Sequence, residues 1–398
     1  MGSDNLLVVQ AGGPTPVMNA SLYGVLKEAN QSGNGKVLGA RRGLEGLIQG
    51  RVVDLGGLTS LQLERLRLSP GAALGSSRLK PSESDFEQTI QNLRKLDVRR
   101  ILMIGGNGTM HAAEKFGRFC ASVKYEVRII GIPKTIDNDI NGTDRCPGYA
   151  SAARYVAQST RDLGMDLRSL PQPVSILETM GRNVGWLAAA SVAGKRSEEN
   201  APHLVYVPEI PFEMERFLSD LERVLGRQDW AIVVVAEGIR DKAGRPIYEA
   251  AEASQADALS RPLMTGVARV LAETAARELK VRCRDERPGL VGRASMLHVS
   301  TQDLRDAELV GRAAFRAVWA NHDAEMLALT PLDREEGSGF EMVPFGSVIG
   351  PERGIPAEWL CDGDIPLDDK FKKYVGPLIG DLLEYDSAVA SLEPQDRP

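Results

Sequence analysis

The sequence predicts an α/β protein of two domains, each built on a parallel β-sheet with helices on both faces. Three observations lead to this fold class. Short apolar runs alternate along the chain with stretches whose apolar residues recur at helical spacing. Glycine-rich turns follow several of the apolar runs. The chain has 398 residues, which fits two or three domains of about 100–200 residues each.

Strands and helices alternate along the chain, as expected of parallel sheets covered by helices. Ligands of these folds bind at the carboxyl ends of the parallel strands, so the residues that follow each strand are the first candidates for a site. They are Gly12, Asn107, Lys134, Asp137, Glu178 and Glu237. In chain order we predict a strand at 6–10, a helix at 17–29, a strand at 100–104, a helix at 110–119, a strand at 127–132, a helix at 148–163 and strands at 174–177 and 230–236.

The composition excludes several classes of protein. Lys and Arg number 48 against 54 Asp and Glu, for a net charge of −6, whereas a nucleic-acid-binding protein carries a basic excess. No run reaches the roughly 18 apolar residues of a membrane span, and the N-terminal residues lack the apolar region of a signal peptide. We therefore expect a cytoplasmic protein with neither a nucleic acid nor a membrane as its partner.

Cysteine and histidine give no sign of a metal or disulfide framework. The 4 cysteines and 4 histidines are scattered and form no paired spacing. We expect the cysteines to be reduced core residues and the histidines to be packing or surface residues.

Two glycine-rich turns indicate a phosphate-binding site. Gly12-Gly13 follows the first predicted strand, and Gly105-Gly106-Asn107-Gly108-Thr109 follows the second. Small residues let backbone N–H groups approach an anion, and the N-terminus of the next helix favours negative charge. The alternative is a tight strand-to-helix turn without a ligand. Neither turn matches a dinucleotide fingerprint or a Walker loop.

A segment rich in Lys, Thr and Asp indicates phosphoryl transfer. Residues 133–144 read Pro-Lys-Thr-Ile-Asp-Asn-Asp-Ile-Asn-Gly-Thr-Asp directly after a buried strand. Phosphoryl transfer needs a carboxylate to accept a proton, a site for Mg²⁺ near the phosphates and a cation to offset their charge. Lys134, Asp137 and Asp139 can supply all three. The alternative is an Asx-rich turn.

Two further strand ends are weaker candidates. Glu178-Thr179-Met180-Gly181-Arg182 follows one strand, and Glu237 closes another. An Arg at such an end can bind a phosphate or a sugar through its guanidinium group. The alternative for Arg182 is a surface arginine. Glu237 could bind sugar hydroxyls or only cap a turn.

Taken together, these motifs resemble the phosphofructokinase family, over roughly residues 6–380. The matching elements are the opening Gly-Gly turn with Met18-Asn19-Ala20, Leu74-Gly75-Ser76-Ser77-Arg78, the turn 105–109, the signature Thr135-Ile-Asp-Asn-Asp139, Met180-Gly-Arg182, Glu237 and Arg293. The resemblance implies two Rossmann-like domains with the active site in the cleft between them. It implies a phosphoryl-donor domain of residues 1–148 plus about 290–398, and a sugar-phosphate domain of residues 149–289.

The resemblance also implies a role for each matching residue in the glycolytic phosphorylation of fructose 6-phosphate at its 1-hydroxyl, with Mg²⁺. Asp137 is implied as the base and Lys134 as the cation on the transferring phosphate, with Asn107 and Asp139 at the metal. Donor contacts are implied for Gly12, Gly13, Arg78, Gly106, Asn107, Gly108 and Thr109. Sugar-phosphate contacts are implied for Thr135, Asp137, Asp139, Met180, Gly181, Arg182, Glu237, Arg284, Leu290 and Arg293. Arg284 corresponds to a residue that family members usually lend to a neighbouring subunit, which implies a homodimer or homotetramer.

Departures from the family pattern bear on the phosphoryl donor. Lys134 is typical of the pyrophosphate-using branch, as is the segment 144–149, and this branch often has Asn or Asp at position 107. Gly108 replaces the Asp by which that branch usually blocks the α-phosphate of ATP, so it leaves room for a nucleotide. The resemblance therefore implies pyrophosphate as the donor and a readily reversible reaction, with ATP as the alternative.

Other departures concern regulation and the acceptor. Pro173 stands where effector-regulated bacterial members have an Arg that bridges subunits. This difference weakens the case that the present protein shares their allosteric regulation. Leu290 stands where those members have a His that contacts the sugar phosphate. A non-catalytic sugar-phosphate sensor remains an alternative, although Asp137, Asp139 and Arg182 argue against it. A lipid or NAD kinase is disfavoured because it should lack the elements at 135–139 and 180–182.

Overall fold

The computed structural model describes residues 5–77, 79, 81–169, 173–247, 266–332 and 339–385. The strands of these residues are β1 (Asn5–Gln10), β2 (Val37–Ala40), β3 (Val52–Asp54), β4 (Val98–Gly105), β5 (Arg128–Pro133), β6 (Pro173–Thr179), β7 (Leu204–Tyr206), β8 (Ala231–Ala236), β9 (Arg282–Glu286), β10 (Glu325–Leu329) and β11 (Phe340–Pro344). The helices are α1 (Met18–Ser32), α2 (Leu44–Gln49), α3 (Ser60–Arg67), α4 (Glu83–Lys95), α5 (Asn107–Ser122), α6 (Tyr149–Leu167), α7 (Trp186–Ala190), α8 (Met214–Arg227), α9 (Val267–Leu279), α10 (Gly289–Ala294), α11 (Thr301–Trp319), α12 (Phe345–Val348) and α13 (Asp369–Ile379).

The larger sheet has seven strands in the order β11-β10-β5-β4-β1-β2-β3. The five central strands are parallel, and apolar clusters cover both faces of the sheet. The edge strands β3 and β11 are antiparallel to their neighbours. The predicted parallel sheet is thus confirmed, while its antiparallel edges were not predicted.

The smaller sheet has four parallel strands in the order β7-β8-β6-β9. Its central strand β8 is buried along its whole length, as expected of a strand covered on both faces. Helix α13 packs into the same apolar cluster through Phe371, Val375 and Leu378. The last described helix therefore lies on the smaller sheet, and the predicted domain boundaries stay a prediction.

The cysteines form no disulfide among the described residues, as expected, but they are not all in the core. Cys120 and Cys146 are buried, whereas Cys361 is exposed. The expectation of four core thiols is wrong for Cys361, which lies in a short loop of exposed polar residues. None of the helices in the described part of the chain combines the length and apolar character needed to cross a membrane.

A buried ion pair joins the segment after β5 to helix α11. Arg145 donates through Nε and Nη2 to the two carboxylate oxygens of Asp306, at 2.6 and 2.9 Å. Its Nη1 donates to the carbonyl oxygen of Thr330 at 2.6 Å. Both charged side chains are almost inaccessible to water. This pair fixes the path of the chain between β5 and α6.

We expect Arg145→Met to lower the free energy of unfolding by about 3–5 kcal/mol, because it leaves the Asp306 carboxylate buried and unpaired. Urea unfolding followed by tryptophan fluorescence measures the change. The matched control is Arg118→Met, which removes an exposed pair with Glu114 and should change the same free energy by less than about 1 kcal/mol. Equal effects of the two substitutions would contradict this assignment.

Candidate active site

The ends of β1, β4 and β5 meet at one edge of the larger sheet, because these neighbouring strands run parallel. The N–H of Lys134 donates to the carbonyl oxygen of Gly105 at 3.0 Å. The structure therefore brings both glycine-rich turns together with the segment after β5, as the sequence predicts. Arg78 lies outside the described residues; nearby, Ser76 Oγ donates to the carbonyl oxygen of Gly12 at 2.6 Å.

Lys134 lies inside this edge, with a side chain that is 2% exposed. Its ammonium donates to the carbonyl oxygen of Gly13 at 2.6 Å. Gly12 has a φ of +78°, a left-handed conformation that glycine adopts without strain. Burial lowers the pKa of Lys134 to about 8, although the charge of Asp137 opposes the shift.

Helix α5 begins at Asn107, three residues earlier than predicted. Gly106 is its extended N-cap residue, and the N–H groups of Thr109 and Met110 donate to the Gly106 carbonyl. Asn107, Gly108 and Thr109 therefore form the first helical turn and not a loop, because the helix begins directly after Gly106. The N-terminus of this helix favours an anion.

The segment Thr135 to Asp139, which we call the catalytic turn, carries two carboxylates. Thr135 Oγ1 accepts a hydrogen bond from the Asp137 N–H at 3.1 Å. Asp137 is half-buried, and burial raises the pKa of its carboxyl, with a smaller contribution from the charge of Glu352. Burial, followed by the charge of Asp137, raises the pKa of Asp139 to about 7. The neighbouring negative charges make this turn a place where protons are readily accepted.

One oxygen of the catalytic turn is suited to a hard cation. Asp139 Oδ1 is buried and has no hydrogen-bond partner. Asn107 Nδ2 donates to the Asp139 carbonyl oxygen at 3.2 Å, which brings the Asn107 side chain to the same place. No group of three or more His, Cys, Asp or Glu in the described residues is arranged to hold a metal. Mg²⁺ typically takes one or two protein ligands and completes its shell with phosphates and water, and these residues fit that mode.

The sugar-side candidates lie at the ends of β6 and β8. Gly181 has a φ of +138°, and its carbonyl oxygen accepts from the Gly238 N–H at 3.1 Å. A Cβ at Gly238 would lie 1.8 Å from the Arg182 carbonyl oxygen, so the two loops pack backbone to backbone. Met180 packs partly buried against the core of the smaller sheet. The predicted loop at 180–182 and the residue that closes β8 are thus brought together.

Glu237 links the two halves of the cleft electrostatically. Burial raises the pKa of its carboxyl to about 7, and the charge of Asp137 is the next largest cause. Asp137 follows a strand of the larger sheet and Glu237 follows a strand of the smaller one. The carboxyl groups at the ends of these two strands, one from each sheet, therefore lie close enough for their charges to interact.

The three candidates near α10 lie in different places. Arg284 is exposed on β9, and the Leu290 side chain is 62% exposed on α10. Arg293 reaches the donor side, where its Nη1 would lie 3.3 Å from a Cβ at Gly13. Its charge acts to lower the pKa of both Lys134 and Asp137. The predicted contact of Arg293 with the sugar phosphate stays a prediction, and the structure places its guanidinium close to Gly13.

Glu178, at the end of β6, has a structural role at the start of helix α9. Its buried carboxylate accepts hydrogen bonds from the N–H groups of Gly266 and Ala268, at 3.2 and 2.9 Å. It therefore caps the N-terminus of α9, where a negative charge is favourable. Glu178, one of the strand-end candidates, thus has a structural role at α9 that the sequence analysis did not predict.

Two residues that the sequence analysis did not single out reach the site from the C-terminal part of the chain. The N–H of Arg353 donates to the Asp139 carbonyl oxygen at 2.9 Å. Glu352 influences the pKa of Asp137 and of Asp139. The signal available in the sequence is a charged pair flanked by Pro351 and Gly354, which does not reveal its distant partner.

The arrangement provides the parts of a phosphoryl-transfer site. A buried cation and a helix N-terminus can hold phosphates, a carboxylate with a raised pKa can accept a proton, and a second sheet offers polar groups to the molecule that carries the hydroxyl.

Comparisons with known proteins also point to phosphoryl transfer. The Phosphofructokinase family model matches residues 5–318. A protein from Xanthomonas campestris named pyrophosphate--fructose 6-phosphate 1-phosphotransferase is 32% identical over 391 residues, covering 95% of this chain and 92% of the relative. A sulfofructose kinase from Alkalicoccus urumqiensis is 37% identical over 311 residues, covering 78% of this chain and 79% of the relative. An ATP-dependent 6-phosphofructokinase from Corynebacterium efficiens is 29% identical over 362 residues, covering 90% and 97%.

A solved structure has the same architecture. The pyrophosphate-dependent phosphofructokinase from Marinobacter aquaeolei superposes with a TM-score of 0.85 at 28% identity, covering 96% of this chain and 94% of that one. Its similarity extends over both sheets and therefore over both sides of the cleft. With the family model matching most of the chain and the catalytic turn in place between the two sheets, this protein belongs to the phosphofructokinase family.

Proposed function

We propose that this protein transfers a phosphoryl group from pyrophosphate to the 1-hydroxyl of D-fructose 6-phosphate, giving fructose 1,6-bisphosphate and phosphate. The observation that carries the choice of donor is the buried Lys134 ammonium, which bonds the Gly13 carbonyl oxygen at 2.6 Å. A fixed cation at this point can neutralise a small, highly charged donor that has no nucleoside to anchor it.

The proposed reaction is a single displacement at phosphorus, in which several residues of the chain take part. The sugar 1-oxygen attacks the terminal phosphorus of pyrophosphate while Asp137 accepts its proton. The bond from that phosphorus to the bridging oxygen breaks, and phosphate leaves. Lys134, Arg293 and the N-terminus of α5 stabilise the charge on the phosphate oxygens.

A magnesium ion belongs to this proposal. Asn107 and Asp139 would hold it, since Asp139 Oδ1 is buried without a partner. When bound, Mg²⁺ neutralises negative charge on the donor phosphates and orients them. The chain's own contribution is to present these oxygens at the edge of the larger sheet, beside Asp137.

The proposal also covers the residues that bind the sugar, the oligomeric state and the cellular compartment. Met180, Gly181, Arg182 and Glu237, at the ends of β6 and β8, would bind the hydroxyl-rich acceptor together with Thr135 of the catalytic turn. Arg284, exposed on β9, would reach the acceptor of a neighbouring subunit in a homodimer or homotetramer. We place this activity in the cytoplasm.

The test is an initial-rate assay of purified protein with Mg²⁺ and fructose 6-phosphate, with pyrophosphate and ATP offered separately at equal concentration. Turnover with pyrophosphate alone supports the proposal. Turnover with ATP alone would show that the donor is wrong and the reaction class right. No turnover with either donor, combined with binding of the sugar phosphate, would favour a sensor.

ATP is the alternative donor because of the space at Gly108. A Cβ at this position would meet nothing within 4 Å. The first turn of α5 is therefore open where a larger donor would extend.

We expect Gly108→Asp to retain activity with pyrophosphate within about fivefold, because the added side chain enters open space. Any activity with ATP should fall by about 100-fold or more, since a carboxylate would then face the nucleotide phosphates. Gly108→Ala is the matched control, as it adds bulk without charge and should change both rates little. Loss of activity with pyrophosphate, equal to the loss with ATP, would contradict this interpretation. Both rates are measured by coupled assays.

Sulfofructose is a second candidate acceptor, supported by Leu290. A sulfo group carries one negative charge, less than the roughly −1.5 to −2 of a phosphate, and needs fewer cations and donors. Leu290 is 62% exposed and offers neither. The relative named sulfofructose kinase is 37% identical to this chain. Measuring kcat/KM for sulfofructose and fructose 6-phosphate in parallel decides between the acceptors.

A further inference from the structure

Residues 351–353, which we call the strap, lie across the catalytic turn. Arg353 donates from its backbone N–H to the Asp139 carbonyl oxygen at 2.9 Å. Its Nη1 donates to the Asn138 carbonyl oxygen at 3.2 Å, joining residues that are 215 positions apart in the chain. Asn141 Nδ2 donates to the Pro351 carbonyl oxygen. Two consecutive carbonyls of the catalytic turn are thus held by one arginine.

Arg353 is itself fixed by aromatic residues of the smaller-sheet core. Its guanidinium stacks over the ring of Trp186 at 4.5 Å and lies 5.9 Å from the centroid of Tyr374. Trp186 Nε1 donates to the Arg353 carbonyl oxygen at 2.9 Å. Because Trp186 is fully buried, the arginine is anchored to a rigid group.

The conformation of the catalytic turn depends on Asn138. This buried residue has a φ of +57°, in the left-handed region that non-glycine residues seldom adopt. Its Nδ2 donates to the Tyr374 hydroxyl at 2.8 Å, and its Oδ1 accepts from the Cys146 N–H at 2.9 Å. Asn138 separates Asp137 from Asp139, so its backbone conformation determines where the two carboxylates point.

The strap also contacts the sugar-side loop. Glu352 Oε2 accepts from Asn183 Nδ2 at 2.7 Å, and Asn183 directly follows Arg182. The strap therefore bridges the catalytic turn and the loop that faces it.

We propose that Arg353 is a positioning residue for phosphoryl transfer. By holding the carbonyls of Asn138 and Asp139, it keeps Asn138 in its left-handed conformation and directs Asp137 at the acceptor hydroxyl. Arg353 contacts no reacting group in this assignment and acts only through the turn. The rate effect of this role rests on the function proposed above, whereas its structural effect does not.

The first test is Arg353→Met, which keeps the length of the side chain and removes its hydrogen-bond donors. The bond to the Asn138 carbonyl oxygen is then lost, while the bond from the backbone N–H of residue 353 to the Asp139 carbonyl oxygen remains. We expect kcat to fall by about 10- to 100-fold, as for a small misplacement of a catalytic group, with KM for the sugar within about threefold. Arg353→Lys should restore most of kcat, because an ammonium can still donate to the Asn138 carbonyl oxygen. A kcat of Arg353→Met equal to that of the wild type would overturn the proposal, as would equal losses in Arg353→Lys and Arg353→Met.

The matched control is Arg100→Met. Arg100 also stacks on a tryptophan, with its guanidinium 3.9 Å from the ring of Trp319, but it lies on β4 away from the carboxyl ends of the strands. This substitution should leave kcat unchanged. A loss of kcat as large as that of Arg353→Met would mean that removing any stacked arginine impairs the enzyme and would overturn the assignment.

A second measurement needs no turnover. Hydrogen exchange of the amides at 137–140 should become at least about tenfold faster in Arg353→Met and stay unchanged in Arg100→Met. If Arg353→Met does not fold, Trp186→Phe removes the bond to the Arg353 carbonyl oxygen and weakens the stacking on its guanidinium, and it should also accelerate exchange at the turn. Unchanged exchange would refute the positioning role. Wild-type protein without turnover on either donor would refute the proposed function and leave the exchange result to decide on Arg353.

Discussion

Asp137→Asn is expected to lower kcat by about 10²- to 10⁴-fold, the contribution typical of a general base. Asparagine has nearly the same shape, and the hydrogen bond from the residue 137 N–H to Thr135 Oγ1 at 3.1 Å does not involve the carboxylate. The turn should therefore persist while the proton acceptor is lost. Because burial and Glu352 raise the pKa of Asp137, the wild-type rate should fall as the pH is lowered and this carboxyl takes up a proton.

The measurement is steady-state kinetics with pyrophosphate and fructose 6-phosphate, combined with calorimetric binding of the sugar phosphate. Binding should change by no more than about threefold, since the substitution removes a group that acts in the transition state. Asp220→Asn is the control: this carboxylate lies on α8 and pairs with Arg223 at 2.7 Å, away from the cleft. A loss of less than tenfold in Asp137→Asn would refute the role of Asp137 as base.

Much of the donor side could be predicted from the sequence because its elements are local. Strands β1, β4 and β5 contain apolar runs, and each is followed directly by a glycine-rich turn or by the catalytic turn. Helix α5 was predicted too short because the sequence does not show that Gly106 can act as its N-cap. The sequence analysis missed six strands, which are β2, β3, β7, β9, β10 and β11. Of these, β9 reads Arg-Cys-Arg-Asp-Glu and carries no apolar run. Edge strands of this kind are defined by their neighbours in the sheet.

Contacts between distant parts of the chain could not be predicted. The bond from Arg353 to Asn138 joins residues 215 positions apart. Asn138 lies in the signature at 135–139, but no local pattern marks Arg353 as its partner. Glu178 illustrates the opposite error: its position at a strand end resembles that of Glu237, but only the structure shows that its carboxylate caps α9. Strand-end position therefore predicts which residues are near a site, while the direction of each side chain depends on packing.

Lys134→Met is expected to lower kcat/KM for pyrophosphate by about 10²- to 10³-fold, the cost typical of removing one group that stabilises charge in the transition state. Methionine fills the same buried space without a charge. The ammonium that bonds the Gly13 carbonyl oxygen at 2.6 Å is then absent from the donor side. If ATP is also used, its rate should fall less, because a nucleoside supplies binding contacts of its own.

The charge of Lys134 also predicts the high-pH behaviour of the wild type. Burial lowers the pKa of this lysine to about 8, so its proton is lost as the pH rises through about 8 and kcat/KM should fall above that value. Lys134→Arg keeps its charge at every pH in this range, so its remaining activity should no longer decline between about pH 7.5 and 9. Lys195→Met is a matched control, because burial also lowers the pKa of Lys195 to about 8 and its ammonium bonds the carbonyl oxygen of Glu198, away from the cleft. A decline that persists in Lys134→Arg or disappears in Lys195→Met would show that a group other than Lys134 sets the high-pH limit, and the buried cation would then lose its place in the choice of pyrophosphate as donor.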